Sequence, residues 1–243
     1  RYKAFLKVET HRLKLHHRAG AGGLEICHLR AAILDALLCH LWDAAKAGMP
    51  ECERKDSPAL ALVAIGGYGR AELNPHSDID FMFLHSRQVG ADGRPRAHLS
   101  RILDSLLYPL WDIGLKIGHS VRSPEECVKI ANNDMQSKTA LIEARFITGD
   151  EALFKRFTQM LDSKCVVGHE PNYIALRLAD QTARRAKFGN SASMQEPNIK
   201  NGCGGLRDFQ NLLWMAYFKY HIRSLTELQA RAFIGESERK HLE

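Results

Sequence analysis

Two acidic residues one position apart, Asp78 and Asp80, follow a glycine-rich turn, Gly66-Gly67-Tyr68-Gly69-Arg70, within the stretch from Leu60 to His85. Residues at i and i+2 of a strand point to the same side, so the two carboxylates can converge on one point in space. Such a point suits a hard divalent cation, Mg2+ or Mn2+, which prefers carboxylate, water and phosphate oxygens. Cations held in this way stabilise the entering and leaving oxygens of an in-line displacement at phosphorus. Gly66 and Gly67 allow the backbone to approach a phosphate closely and to take a positive φ. Ser77 offers a hydroxyl to a phosphate oxygen, and the Arg70 guanidinium matches a phosphate with two parallel hydrogen bonds. Together these residues point to nucleotidyl transfer. Two other phosphate motifs fail here: the run lacks the Lys-Ser or Lys-Thr of a P-loop, and Glu72 stands where a dinucleotide fingerprint has its third glycine.

The elements that must hold these residues follow from the hydrophobic pattern. Ala59 to Ile65 reads as a buried strand leading into the glycine turn, and Ile79 to Leu84 as a strand covered on both faces. Leu24 to Ala47 and His98 to Ile113 place leucines and isoleucines at helical spacing. Gly114 to Arg122 reads as a further strand, and Pro124 restarts the chain as helix. Lys46 to Pro58 and Gln88 to Arg96 read as polar loops. After Gly149-Asp150 the pattern turns helical, with Glu151 to Leu161 and Pro171 to Phe188. Gly189 to Gly205 is a loop that closes on Gly204-Gly205-Leu206-Arg207-Asp208, a turn into another helix. The reading is an α+β chain: N-terminal helices over residues 1–57, a sheet-containing core over 58–149, and a helical domain over 150–243.

Bulk composition narrows the class. A chain of 243 residues, 45% hydrophobic, is long enough for one large or two small cores. No apolar run approaches the roughly 20 residues of a membrane helix, and the N-terminal stretch has no secretory apolar segment, so the cytoplasm is the expected compartment. Six cysteines without a CxxC pair indicate reduced thiols rather than a zinc cage or disulfide framework. A net charge of +6 favours the approach of a polyanion without selecting one. The chain opens without methionine and stops inside a helical pattern, which suggests a fragment of a longer protein.

The turn, a ten-residue spacer and Asp78-Ile79-Asp80 resemble the signature of the polymerase-beta-type nucleotidyltransferase superfamily. Longer strings narrow the resemblance: Ile65 to Asp80, Leu110-Trp111-Asp112-Ile113-Gly114-Leu115-Lys116-Ile117-Gly118-His119-Ser120-Val121-Arg122, Leu141-Ile142-Glu143-Ala144-Arg145 with Gly149-Asp150, and Pro197-Asn198-Ile199-Lys200 leading to Gly204-Gly205-Leu206-Arg207-Asp208. From Leu60 to Ala216 the chain is similar to the N-terminal part of the bacterial PII uridylyltransferase/uridylyl-removing enzymes. That resemblance implies a polymerase-beta-like core of a small mixed sheet with flanking helices, followed by a helical domain that closes the nucleotide cleft. It also implies transfer of UMP from UTP to a tyrosine hydroxyl of the PII signal protein, with Mg2+ or Mn2+ on Asp78 and Asp80. Lys200 and Arg207 would then join Gly66, Gly67, Arg70 and Ser77 in holding the nucleotide. The hydrolytic HD and glutamine-sensing ACT domains of that family are not in this sequence.

Three departures stand out. Ala71 occupies a position where glycine is common in the family, and Cys203 one where proline is common. Polymerase-beta-type sites usually draw a third carboxylate from a later strand; the corresponding strand here, Leu115 to Arg122, carries no acid, and Glu143, Asp150 and Asp208 remain candidates. Plainer readings exist for single residues: Arg70 paired with Glu72, His119 as a structural histidine, Asp208 as a helix-entry residue, and Arg184, Arg185 and Lys187 as a solvated basic face. The alternatives to uridylyl transfer are adenylyl or RNA-end transfer on the same scaffold and a nucleotide-sensing module without turnover. An RNA partner is disfavoured by the Gly-Gly-Leu-Arg-Asp string.

Overall fold

The computed structural model describes residues 1–50, 58–86 and 97–243. The loop expected from Gln88 to Arg96, residues 51–57 of the loop expected from Lys46 to Pro58, and Cys52 lie outside the described residues. The described chain divides into two compact units, Arg1–Leu161 and Asp162–Glu243.

The first unit holds a four-stranded sheet: β1 Leu60–Ala64, β2 Ile79–His85, β3 Ile117–Arg122 and β4 Arg145–Gly149, in the order β3-β2-β1-β4. β1 runs antiparallel to both β2 and β4, whereas β2 and β3 are parallel, so the sheet is mixed. Around it lie α1 Tyr2–Arg18, α2 Gly23–Ala47, a single turn α3 Gly66–Gly69, α4 Ala97–Asp112, α5 Pro124–Asn133, α6 Met135–Ile142 and α7 Glu151–Leu161. β4 is the strand that periodicity does not mark, because it spans only Arg145-Phe146-Ile147-Thr148-Gly149 and its residues are intermediate in burial or exposed.

β2 shows why the sheet forms here. Ile79, Phe81 and Phe83 join one core with Leu34, Leu38 and Leu41 of α2 and Leu106 and Leu110 of α4. Met82 and Leu84 are also fully buried, and the Cys127 thiol of α5 lies 3.4 Å from the Met82 sulfur. With both faces covered, β2 reads as a continuous apolar run, broken only at the exposed Asp80. Burying each large side chain of this kind contributes about 2 kcal/mol. Local signals set the helix starts. Ser123 and Glu126 form a reciprocal capping box at α5, with Pro124 in its first turn, and Asp134 caps α6 by accepting from the Ser137 amide at 2.7 Å.

The second unit is helical: a π-turn over Asp162–Val166, then α8 Glu170–Phe188, α9 Leu206–Tyr220, α10 Leu225–Ala230 and α11 Glu236–Leu242. Tyr173 of α8 stacks on Phe218 of α9 with ring centroids 3.6 Å apart, and the buried Arg177 lies 4.4 Å from the Trp214 ring. All strands among the described residues precede Asp150 in the chain, as the sequence pattern predicts, although the compact first unit extends through α7 to Leu161.

Ala71, directly after the glycine turn, holds φ at +60°, a conformation that costs a non-glycine residue roughly 1–2 kcal/mol. Ala71→Gly relieves that cost against a smaller loss in unfolded-chain entropy, and a melting curve should show Tm higher by about 2 °C.

Candidate functional site

Asp78 immediately precedes β2 and Asp80 is its second residue, with the buried Ile79 between them pointing into the core. Both carboxylates therefore emerge on the opposite side, and both are exposed. The glycine turn is tied to them directly, because the Ile65 amide donates to the Asp80 carbonyl at 3.0 Å and extends the β1–β2 pairing to the start of α3. Gly66 takes φ +58°, and a Cβ built there would meet nothing within 4 Å. The turn thus needs glycine for its backbone and leaves open space beside it. Gly67 is similarly open, with only van der Waals neighbours. Gly69 is glycine for another reason: a Cβ there would overlap the backbone carbonyl of Glu143. Ser77 lies in the loop leading to Asp78, where its amide donates to the Asn74 carbonyl at 3.1 Å.

A polar cluster fixes the turn from beneath. The Tyr68 hydroxyl donates to Asp35 of α2 at 2.6 Å, and Arg145 of β4 donates to the same carboxylate at 2.7 and 3.1 Å and to the Tyr68 carbonyl at 3.2 Å. The Arg145 guanidinium also sits 5.3 Å from the Tyr68 ring. Burial and the Asp35 charge push the Tyr68 hydroxyl far above its ordinary pKa, so it serves as a permanent donor.

Arg70 is clasped between Glu72, at 2.7 Å, and Glu143, at 2.6 Å. Burial disfavours its charge, yet Glu143 and Glu72 outweigh that and hold it more firmly protonated. Its Nη2 lies on the Gly67 side, 3.7 Å from where a Cβ of Gly67 would be. The plainer reading of Arg70 as an ion-pair partner therefore describes what the side chain does in this structure. The three acids considered as further metal ligands are engaged elsewhere. Glu143 holds Arg70, Asp150 accepts from the Leu153 amide at the start of α7, and Asp208 accepts from Gln181, Arg184 and Arg185. Among the described residues no group of three His, Cys, Asp or Glu side chains is placed to hold a metal ion. Cys27, Cys39, Cys127, Cys165 and Cys203 are free thiols.

The donor set at the carboxylate pair still fits a hard cation. Although the residue is exposed overall, partial desolvation of the Asp80 carboxyl, followed by the neighbouring Asp78 charge, raises it above its ordinary range, as expected of two acids whose repulsion a cation would relieve. Mg2+ commonly takes one or two protein carboxylates and completes its shell with water and phosphate oxygens. Sequence reasoning missed the residue that makes room for Asp80. In the parallel β2–β3 pairing Asp80 stands opposite Gly118, and a Cβ on Gly118 would overlap Asp80 Oδ1. The adjacent His119 is exposed and meets the Trp111 ring edge to face at 6.1 Å.

In the second unit Lys200 and Arg207 are brought together through the backbone, with the Arg207 amide donating to the Lys200 carbonyl at 2.9 Å. Lys200 is exposed, and the Arg207 guanidinium lies 5.2 Å from the Trp214 ring. The glycines of this string have structural work: Gly204 takes φ +72°, and a Cβ on Gly205 would come within 2.7 Å of the Ile199 carbonyl. Asp208 accepts from Gln181, Arg184 and Arg185 of α8 and from the Gly204 amide. Burial alone would raise its pKa, but these hydrogen bonds prevail and lower it to about 2.

The profile of a family described as GlnD PII-uridylyltransferase matches residues 172–243, and that of glutamate-ammonia ligase adenylyltransferase matches residues 23–106. A bifunctional uridylyltransferase/uridylyl-removing enzyme of Erythrobacter litoralis is 36% identical over 223 residues, covering 91% of this chain and 23% of that protein. One of Rhodopseudomonas palustris is 40% identical over 182 residues, covering 75% of this chain and 19% of that protein. The chain thus spans about a quarter or less of the length of these relatives.

Two outcomes follow from the geometry. Gly118→Ala should leave Tm within a few degrees while turning Asp80 away, and the nucleotidyl transfer expected from the sequence should then fall by about 100-fold, the scale of a displacement of about 1 Å in a reacting site. Equal activity in that variant would remove the positioning role. Because the Asp208 carboxyl titrates lower folded than unfolded, its contribution to stability is complete above the unfolded carboxyl range and is lost as pH falls through about 2. Asp208→Asn should therefore lower Tm by several degrees at pH 7, with the deficit shrinking toward pH 2 in melts across that range.

Proposed function

Because the chain belongs to the GlnD PII-uridylyltransferase family, we propose that it is the nucleotidyl-transferring part of such an enzyme, a polymerase-beta-like core acting with a helical domain in the cytoplasm. It moves UMP from UTP to a tyrosine hydroxyl of the PII signal protein. The observation that carries the reading is the exposed pair Asp78 and Asp80, bonded through the backbone to a glycine turn with open space at Gly66. The phenolic oxygen forms a bond to the α-phosphorus of UTP, the bond to the oxygen bridging the α- and β-phosphorus breaks, pyrophosphate leaves, and the phenolic proton passes to solvent. Mg2+ or Mn2+ held by Asp78 and Asp80 would supply neutralisation of the phosphate charge. Gly66 and Gly67 give the triphosphate room against the backbone, and the Ser77 hydroxyl donates to a phosphate oxygen. Arg70, oriented by Glu72 and Glu143, presents the Nη2 side of its fork toward the turn. Lys200 and Arg207 are assigned to the nucleotide on the family resemblance.

The match of residues 23–106 to the adenylyltransferase profile favours a second reading, transfer of AMP to a protein on the same two carboxylates. One assay separates the two. The chain is incubated with UTP or ATP, Mg2+ or Mn2+ and purified PII protein, and intact mass shows which monophosphate is added to tyrosine. Addition of UMP alone is expected, and Asp78→Asn or Asp80→Asn should each reduce it by at least about 100-fold with the fold retained. AMP addition would establish the second reading. Metal-dependent UTP binding without transfer would point to a sensing module.

A further inference from the structure

A trough runs along the seam of α1 and α2, and none of its lining residues is used by the proposed chemistry. One half, of about 540 Å³, lies between α1, α2 and the segment following α4, where Ile113 and Leu115 close it. The other half continues past Thr10, Leu13, Lys14 and Arg30, which line both, and ends against Asn74 and Pro75. Its floor is aliphatic, with Leu6, Leu13, Ile26, Ile33 and Leu34. Its rim is cationic, with Lys3, Lys7, His11, Lys14, His17 and Arg30, and no lining residue is acidic. Of the acids adjacent in sequence to its lining residues, Glu9 pairs with Arg12, Glu25 with His16 and Asp35 with Arg145. Lys14 and Arg30 are the cations at the junction of the two halves, and the Arg30 Nε is enclosed without a hydrogen-bond partner. α1 itself buries no residue, so the trough is a shallow seam rather than a closed core.

We propose that this trough docks a partner protein through an acidic amphipathic helix whose apolar stripe meets the aliphatic floor while its carboxylates meet the lysine and arginine rim. Charge complementarity selects the sign of the occupant, and the floor selects its amphipathic character. The trough follows α1 from Lys3 to His17, which at 1.5 Å per residue is about 20 Å, or about four turns of a docked helix. A nucleic acid would match the rim but would leave the aliphatic floor unused, and a flat lipid surface would not enter a seam between two helices. The far end is closed by Asn74 and Pro75, three and two residues before Ser77. The Asn74 amide oxygen accepts from the Cys27 thiol of α2 at 3.5 Å, so the same loop joins the trough to the carboxylate pair. A partner seated there lies beside the loop that carries Asp78. This inference does not depend on which nucleotide is transferred, or on whether transfer occurs.

The test is fluorescence anisotropy with a labelled 18-residue helical peptide carrying leucines at i, i+3, i+4 and i+7 and glutamates on the flanking positions. Saturable binding to the chain is expected, weakened about tenfold or more by Lys7→Glu with Lys14→Glu and by Arg30→Gln, and weakened by raised salt. Lys155→Glu, on the exposed face of α7, should leave it unchanged. Lys7 and Lys14 are exposed, so melting curves of those variants should match the parent chain. Equal binding of a scrambled peptide of the same composition, or insensitivity to the trough variants, would overturn the proposal. So would trough-dependent binding of phosphatidylglycerol vesicles or single-stranded RNA in preference to the peptide.

Discussion

The glycine turn depends on one shared carboxylate. Asp35, on the face of α2 turned to the sheet, receives the Tyr68 hydroxyl and the Arg145 guanidinium together. Those three residues come from a long helix, the turn and the last strand of the sheet, so a single acid fixes the relative placement of all three. A buried tyrosine hydroxyl without an acceptor costs about 1–3 kcal/mol, and an arginine left without its acid costs more. The cluster is therefore stable as a set and fragile in its parts. A second clasp above it, Arg70 between Glu72 and Glu143, holds the far end of the turn to the segment leading into β4. Gly69 completes the arrangement by allowing that segment to approach the turn without a side chain between them.

The sheet then converts this fixed turn into a fixed pair of acids. Pairing of β1 with β2 continues through the Ile65 amide to the Asp80 carbonyl, so the turn and the acid cannot drift independently. The core side of β2 is anchored by Ile79, Phe81 and Phe83, all of which would have to leave a packed interior for the strand to slip by one residue. The loop between turn and strand is anchored in the same core by Leu73, and beyond that by the Ser77 and Asn74 backbone bond and the contact with Cys27.

Much of this was legible in the sequence, for physical reasons that can be named. β1 and β2 announce themselves because strands covered on both faces must be apolar throughout, and the exposed Asp80 interrupts that run at the position proposed to hold a cation. α2 and α4 are visible through helical spacing of leucines. β4 was not visible, since its residues are intermediate or exposed and its role lies in Arg145 reaching across to Asp35, a pairing 110 positions apart that no local pattern encodes. The string Leu141 to Arg145 was recognisable as a motif, and the structure supplies its reason: Glu143 holds Arg70 and Arg145 holds Tyr68. The Gly204 to Asp208 string likewise has a structural account in the bonds from Asp208 to α8. Gly118 escaped notice because a missing side chain has no chemistry to read. Its signal exists only once the register of two parallel strands is known.

That same register restricts how the chain can change. At the position facing Asp80 on β3 any side chain would meet Asp80 Oδ1, so an acid added there would turn aside the one already present. Lineages sharing this backbone would thus enlarge the carboxylate set through positions elsewhere on the scaffold, whereas here the smallest substitution available to glycine displaces Asp80.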